Sequence, residues 1–227
     1  MRTFSFICLM VASNFIVSAQ DCNSYFAMEE GVTSQITSYD KKDKLVAVVN
    51  YVIKEVSIAK GEKTAKITST VKDEKGELIA TSNYDVSCKG DKISIDFKSM
   101  MSPQLIEQYK DMDLEITGNN IEIPNNLNVG DQLPDSNMQM TMNMAGMNMK
   151  MNVAMTNRSV TGEETVTTPA GTFDCVIITY TSEFEMGMTK KGTAKQWLSK
   201  GVGMVKQEDY NGNGKLTSSS MLTAFNN

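Results

Sequence analysis

The stretch "NMQMTMNMAGMNMKMNVAM", from Asn137 to Met155, places a methionine at almost every second position. If Ala145 and Gly146 form a two-residue turn, the numbers of facing residues sum to 291, so that Met142 faces Met149. Because side chains alternate between the faces of a strand, one face of this hairpin is apolar and the other carries only polar residues. The sequence therefore predicts an antiparallel hairpin in this register. The methionines of its apolar face are Met138, Met140, Met142, Met144, Met147, Met149 and Met151.

This apolar face has three interpretations that the sequence leaves open. Methionine favours strands less than valine or isoleucine does, so strand formation alone does not explain the repeat. The face could simply be core, or its adaptable thioethers could line a cavity for an apolar ligand. Thioethers also bind Cu(I), but the chain has no histidine, the residue that commonly joins them at copper sites. We therefore predict no metal site and no cofactor, and keep Cu(I) as an alternative.

The rest of the chain from residue 32 onward consists of runs rich in Val, Ile, Thr and Tyr, separated by clusters of Lys, Asp and Gly. Three similar connections, "YDKKDKL" from Tyr39, "KDEKGEL" from Lys72 and "YNGNGKL" from Tyr210, have the composition of hairpin loops. They lack the acidic oxygens of a calcium loop. The pattern predicts an all-β, mainly antiparallel fold of about ten strands in a single domain over residues 21–227.

One short helix interrupts the β pattern. Ser102 can cap it and Pro103 suits its first turn. The helix is one-sided, so it must lie on an apolar surface, either as a plug for the sheet or as a lid over a cavity. Its apolar positions are Leu105, Ile106, Tyr109 and Met112.

The first 20 residues have the features of a signal peptide. Arg2 precedes the apolar run "FSFICLMVA", and small residues surround Ser18 and Ala19. The run is too short to span a membrane and no later segment replaces it, so no transmembrane anchor is expected. The residues "SAQD" before Cys22 disfavour lipoprotein processing, which needs a small residue directly before the cysteine. We expect an exported protein, located in the periplasm or outside the cell.

Export permits disulfides, and the mature chain keeps three cysteines, Cys22, Cys88 and Cys175. Three connectivities are possible. We favour a bond between Cys22 and Cys88 because it would tie down the N-terminus. Cys175 lies in the apolar run "FDCVIITY", where a buried, inert thiol is the common outcome.

Composition argues against several classes of function. The 27 acidic residues outnumber the 22 basic ones, for a formal net charge of -5, which disfavours nucleic acid as a partner. The absence of histidine removes histidine-based triads and most general-base schemes at neutral pH. We therefore predict a protein that is not an enzyme and assign no catalytic residue.

The segments "VTTPAGTFDCVIITYTSEFEM" and "AKQWLSKGVGMVKQEDYNGNGKL" resemble the DUF3108-like family of exported bacterial proteins. Matching features are the "PAGTF" turn at Pro169 to Phe173, the tryptophan strand at Trp197 and the glycine turn at Gly201 and Gly203. The start "QDCNSYFAMEEG" is also similar to secreted members from Bacteroidota. The resemblance implies a curved antiparallel sheet or half-barrel, a β-clam, with a helix near its open side. It supplies no catalytic residues.

Taken with the methionine face, this resemblance predicts an exported, non-enzymatic β-clam protein that binds an apolar or lipid-like ligand, or a partner surface. The expected contacts are the seven methionines above together with Leu105, Ile106 and Tyr109 of the helix. The alternatives are a periplasmic Cu(I)-binding protein and a purely structural protein of the cell envelope. The sequence gives no indication of a protein partner.

Overall fold

The computed structural model describes residue 22 and residues 25–96, 113–144 and 147–227. Outside these residues lie the predicted signal peptide, the predicted two-residue turn of the methionine hairpin, and the predicted helix with Leu105, Ile106 and Tyr109. The described part of the chain contains thirteen β-strands and no helix.

The all-β antiparallel prediction is confirmed, and the predicted number of about ten strands is too low. Two strands of six and four residues, too short to show clear alternation, account for part of the difference. The strands are β1 (Thr33–Asp40), β2 (Leu45–Ala59), β3 (Glu62–Asp73), β4 (Leu78–Lys89), β5 (Lys92–Ile95), β6 (Asp113–Gly118), β7 (Ile121–Pro124), β8 (Ser136–Met144), β9 (Met147–Thr168), β10 (Gly171–Met186), β11 (Met188–Ser199), β12 (Gly203–Asn211) and β13 (Leu216–Asn226).

All thirteen strands form one curved open sheet in the order β6-β8-β9-β10-β11-β12-β13-β1-β2-β3-β4-β5-β7. Two runs of sequential hairpins, β1 to β5 and β8 to β13, are joined where β1 pairs with β13. The end strands β6 and β7 follow each other in the chain, separated only by Asn119 and Asn120. The sheet therefore curves, in the direction set by strand twist, until its two edges adjoin.

The pairing of β8 with β9 has the register that the methionine pattern predicts. Met140 pairs with Met151, Met138 pairs with Val153, and Thr141 pairs with Lys150. The register holds because a slip of one residue would move every methionine to the polar face.

Strand β9 runs for 22 residues, from the methionine hairpin through "GEETVTT". A bulge accommodates the change of register with β10, and Asn157 there has a left-handed backbone with φ of 53°. The bulge lets the strand bend without ending, and so places Arg158 next to it in the interior.

The three similar connections form the same turn. The side-chain oxygen of Asp40 accepts hydrogen bonds from the backbone N–H groups of Lys42 and Lys44, at 2.8 and 3.0 Å. Asp73 and Asn211 make the same two bonds in their own turns. The two bonds from backbone N–H groups hold the pKa of the Asp40 carboxyl below its usual value. Turn chemistry therefore explains these loops, as predicted.

The main hydrophobic core lies on one face of the sheet, here called the inner face, which carries Ile67, Val86, Val160, Ile178 and Leu198. The N-terminal segment, residues 25–28, packs into this core, and Met28 is fully buried. The predicted disulfide between Cys22 and Cys88 is present and fixes the segment to β4.

A smaller core lies on the opposite, outer face, around Cys175, Ile177, Trp197 and Val205. The Trp197 ring lies between the ammonium groups of Lys195 and Lys206, each 4.6 Å from its centroid. Its indole N–H donates to Glu164 at 2.8 Å. The tryptophan of the family-like motif thus holds β9, β11 and β12 together.

Candidate functional site

The inner face contains a cavity of about 190 Å³. Its walls come from β1 to β4, from β12 and β13, and from the N-terminal segment, and no lining residue is charged. Six of its lining residues are Phe26, Ile36, Ile53, Ile67, Tyr84 and Leu222.

Strand register builds the walls of this cavity. Ile53 pairs with Ile67, which pairs with Tyr84, so three strands present one apolar row. Ile36 pairs with Leu222 in the ladder that joins the two runs of hairpins. Directly paired residues point to the same face, so these side chains meet on the inner side.

Two tyrosines supply the polar groups of the cavity wall, together with Ser34. Burial raises the pKa of Tyr51, and burial together with the neighbouring Tyr51 raises the pKa of Tyr84. Both phenols are therefore neutral at physiological pH. Within the described residues, neither hydroxyl takes part in a side-chain hydrogen bond, so both keep hydrogen-bonding capacity for a ligand or water.

The predicted methionines lie in a different part of the inner face. Met138 and Met140 are 7% and 2% exposed, and Met151 is half-buried. None of the three lines the cavity. Met204 of the cavity wall pairs with Leu198 on β11, which pairs with Val176 on β10. Met151 instead pairs with Met186, ten residues further along β10. The methionines therefore lie on the order of 30 Å from the cavity along the strand.

For Met142, Met144, Met147 and Met149 the structure describes the backbone pairing and not the side chains. Leu105, Ile106 and Tyr109 lie outside the described residues. The proposed contact of the methionine face with a ligand stays a prediction.

The methionine face continues across the neighbouring strands. Met140, Met151, Met186 and Met188 form one row across β8, β9, β10 and β11. Exposure rises along this row, from 2% at Met140 to 47% at Met186 and 75% at Met188. The row is therefore buried at one end and open to solvent at the other.

Arg158 is the one arginine of the described chain, and it is 2% exposed. Its guanidinium donates to the backbone carbonyls of Pro134 and Glu122, at 2.6 and 3.1 Å. Burial lowers its pKa, partly offset by nearby Tyr180, Asp135 and Glu122. Arg158 therefore ties β9 to β7 where the two edges of the sheet adjoin.

A polar groove of about 670 Å³ lies where the N-terminal segment meets β9 and β10. It contains the free thiol of Cys175, whose pKa is raised to about 11 by burial and by Asp174 and Glu164. A protonated thiol is a poor nucleophile and a poor metal ligand. The described residues contain no group of three or more acidic, cysteine or histidine side chains that could hold a metal ion.

Sequence reasoning missed the cavity, although its signal is present. Ile67 and Tyr84 alternate with polar residues within their strands. Such alternation marks a buried face and does not distinguish a filled core from a hollow one.

The described residues also include no helix long and apolar enough to cross a membrane.

Comparison with known proteins gives a family and a fold. The model of the DUF3108-like family matches residues 29–222. The chain is similar to a predicted lipoprotein from Parabacteroides distasonis, with 23% identity and a TM-score of 0.73 over 91% of this chain and 100% of the other. A predicted exported protein with a YmcC-like fold from Bacteroides fragilis has 21% identity and a TM-score of 0.74 over the same shares. A search of curated proteins gives no match.

Proposed function

The chain belongs to the DUF3108-like family, and from that premise we propose that it is an exported, non-enzymatic protein that binds an apolar, lipid-like ligand on the inner face of its curved sheet. The observation that carries the proposal is the uncharged cavity of about 190 Å³. An engineered protein cavity of about 150 Å³ lined by Leu, Ile and Phe takes up benzene. The cavity therefore has room for a ring or for a short stretch of one hydrocarbon chain.

The walls of the cavity support this proposal. Phe26, Met204 and Phe225 line it and are only half-buried, so that a ligand can reach it from the surface. Phe26 belongs to the N-terminal segment, which the disulfide holds in place. A ligand that enters next to Phe26 would meet a wall that is already fixed, and so would order little of the chain on binding.

Export is supported by the disulfide and by the two structural relatives, which are a predicted lipoprotein and a predicted exported protein. The sulfur of Cys22 is bonded to Cys88. That sulfur cannot at the same time carry the thioether-linked lipid of a lipoprotein.

A cavity-filling variant tests the proposal. We expect the purified protein to bind benzene and 1-octanol, detected by ligand-observed NMR, and native mass spectrometry to detect co-purified lipid. Ile67→Trp should abolish this binding because the larger ring occupies the cavity. Ile58→Trp is the matched control, because Ile58 is 76% exposed near the end of β2 and does not line the cavity. If neither probe nor any lipid class binds the unmodified protein, the proposal is wrong.

A second candidate function is Cu(I) binding by the methionine row, Met140, Met151, Met186 and Met188. Directly paired residues on adjacent strands have their Cβ atoms about 5 Å apart, close enough for neighbouring thioethers to share one soft ion. Anaerobic titration with Cu(I) against a competing chelator tests it. Equal affinity in the unmodified protein and in a variant with all four methionines replaced by leucine would exclude this site.

A further inference from the structure

Beside the cavity, four polar side chains form one row across four strands of the inner face. Gln196 on β11 pairs with Gln207 on β12, Gln207 pairs with Ser220 on β13, and Ser220 pairs with Ser38 on β1. We infer that the ligand of the cavity is a single-chain amphiphile whose uncharged, hydroxyl-bearing head rests on this polar row. The inference rests on the proposed function and specifies the chemical class of its ligand.

The polar row is the next row to the cavity wall. Ser38 and Ser220 lie two residues from Ile36 and Leu222, which pair with each other and line the cavity. Alternate residues of a strand share a face and are about 7 Å apart. A chain that fills the cavity therefore places its head within reach of the row.

Gln196 links the row directly to the cavity. Its side-chain amide donates to the sulfur of Met204, which lines the cavity, at 3.3 Å, and to Gln207 at 3.2 Å. The apolar wall and the polar row are thus parts of one surface.

The row can make further hydrogen bonds. The hydroxyls of Ser38 and Ser220 are 2.9 Å apart, and the Gln207 amide donates to Asp209 at 3.0 Å. An amide side chain has two donors and can accept two bonds, so these contacts use part of its capacity. All four side chains of the row are half-buried, and so remain reachable from the inner face.

Charge on the inner face selects against an anionic head. The row itself contains no lysine or arginine, and Asp209 follows it, accepting a hydrogen bond from Ser218 at 3.0 Å. Burial raises the pKa of Tyr180, and the nearby Asp209 raises it further. Arg158 near Tyr180 is 2% exposed and donates to two backbone carbonyls, which leaves it out of reach of a ligand head. A polyol offers donors to Asp209 and both donors and acceptors to the amides without the cost of burying a charge.

Four probes with the same eight-carbon chain separate the head groups: octyl glucoside, 1-octanol, octanoate and octyltrimethylammonium. Their affinities are measured by titration calorimetry and ligand-observed NMR below their micellar concentrations. Octyl glucoside should bind at least about tenfold more tightly than either charged probe. Gln207→Leu should remove that preference, and should weaken the binding of 1-octanol, which has a single hydroxyl, much less than that of octyl glucoside. Gln35→Leu is the matched control, because the Gln35 side chain lies on the outer face of β1, where its amide donates to Asn50 on β2.

The outcomes distinguish the inference from the proposed function. Equal affinity for all four heads, or tightest binding of octanoate or octyltrimethylammonium, would overturn the inference and leave the cavity as an apolar site. Failure of all four probes would overturn the inference, and failure of benzene and of every lipid class as well would overturn the proposed function. The double variant Ser38→Ala with Ser220→Ala removes both partners of one hydrogen bond, and so tests the row even if Gln207→Leu does not fold. Unchanged preference for octyl glucoside in that variant and in Gln207→Leu would also overturn the inference.

Discussion

The fifth residue of each of the three similar connections, counted from Tyr39, Lys72 and Tyr210, has a left-handed backbone. Gly76 and Gly214 occupy that position in two turns, with φ of 83° and 71°, whereas Asp43 occupies it in the third, with φ of 58°. A side chain in this conformation costs about 1–2 kcal/mol, although aspartate tolerates it better than most residues. Glycine at the same position lowers the free energy of unfolding by about 0.4–1 kcal/mol, because it gives the unfolded chain greater conformational freedom.

We expect Asp43→Gly to raise the free energy of unfolding by about 0.5 kcal/mol, the difference between relieved strain and added unfolded-state entropy. Gly214→Ala, the reverse change in an equivalent turn, should lower it by about 1 kcal/mol. Urea unfolding measures both. Destabilisation by Asp43→Gly would show that the Asp43 side chain has a role in the turn beyond its backbone.

Arg158 gives a second prediction at this scale. Arg158→Met should lower the free energy of unfolding by about 2–4 kcal/mol, because two buried carbonyls lose a charged donor. Lys150→Met on the same strand is the control, since Lys150 is exposed and should change stability by less than about 0.5 kcal/mol. Equal effects in thermal unfolding would contradict the importance of the Arg158 contacts.

The two features differ in how far they follow from sequence. The turns follow from seven-residue patterns, because all their hydrogen bonds are local. The partners of Arg158 are carbonyls 24 and 36 residues away. Every residue has a backbone carbonyl whatever its side chain, so the sequence could not indicate which carbonyls accept hydrogen bonds from Arg158.

At the scale of strands, the register of β8 and β9 gives two variants with opposite expectations. Met140→Asp should cost several kcal/mol, because it buries a charge at a position that is 2% exposed. Thr141→Asp should be nearly neutral, with at most about 0.2–1 kcal/mol gained by pairing with Lys150 across the ladder.

Thermal unfolding of these two variants measures the difference. A shift of the register by one residue would exchange the two results, since every side chain would change faces. Small and equal effects at both positions would mean that the stretch is not packed on one face.

The same hairpin shows which elements sequence can predict. Turn position and the alternation of apolar and polar residues indicate the same register over seven pairs of β8 and β9, from Met138 with Val153 to Met144 with Met147. Two independent signals in the sequence therefore specify this register. The length of β9 did not follow from the hairpin pattern, because the sequence signal for the bulge at Asn157 is a single residue in an otherwise regular strand. Strands β6 and β7 were missed because each is short and pairs with a strand distant in the chain.

At the scale of the whole molecule, the Cys22–Cys88 bond closes a loop with a sequence separation of 66 residues. A loop of this length predicts a stabilisation of about 4 kcal/mol by loss of unfolded-state entropy. Reduction of the native protein should therefore lower its unfolding midpoint in urea, and should release the N-terminal segment from the cavity wall. The variant Cys22→Ser is the control, because reductant should leave its midpoint unchanged. An equal midpoint for the oxidised and reduced native protein would contradict this role.

The antiparallel class and the disulfide were predictable, because both leave local or paired signals in the sequence. The cavity was not, because its lining residues range from Phe26 to Phe225 and meet only once β1 has paired with β13. No local pattern indicates which of many alternating strands will face each other with space between them. The methionine run, the most regular signal in the chain, marks a different part of the same face.

The pairing of β1 with β13 places Thr33, the first residue of β1, and Asn226, the last residue of β13, opposite each other in one ladder. Tension applied between these two residues would load their pair first and peel the ladder apart one hydrogen-bonded pair at a time, at low force. Tension applied at Cys22 can instead pass through the disulfide directly to Cys88 on β4, which is a shorter covalent path than the backbone between the two cysteines. The oxidised chain would then transmit the load across the full width of β1 to β3, while the N-terminal segment stays slack. We therefore expect the mechanical resistance of the fold to depend on whether Cys22 and Cys88 are joined by a disulfide or reduced.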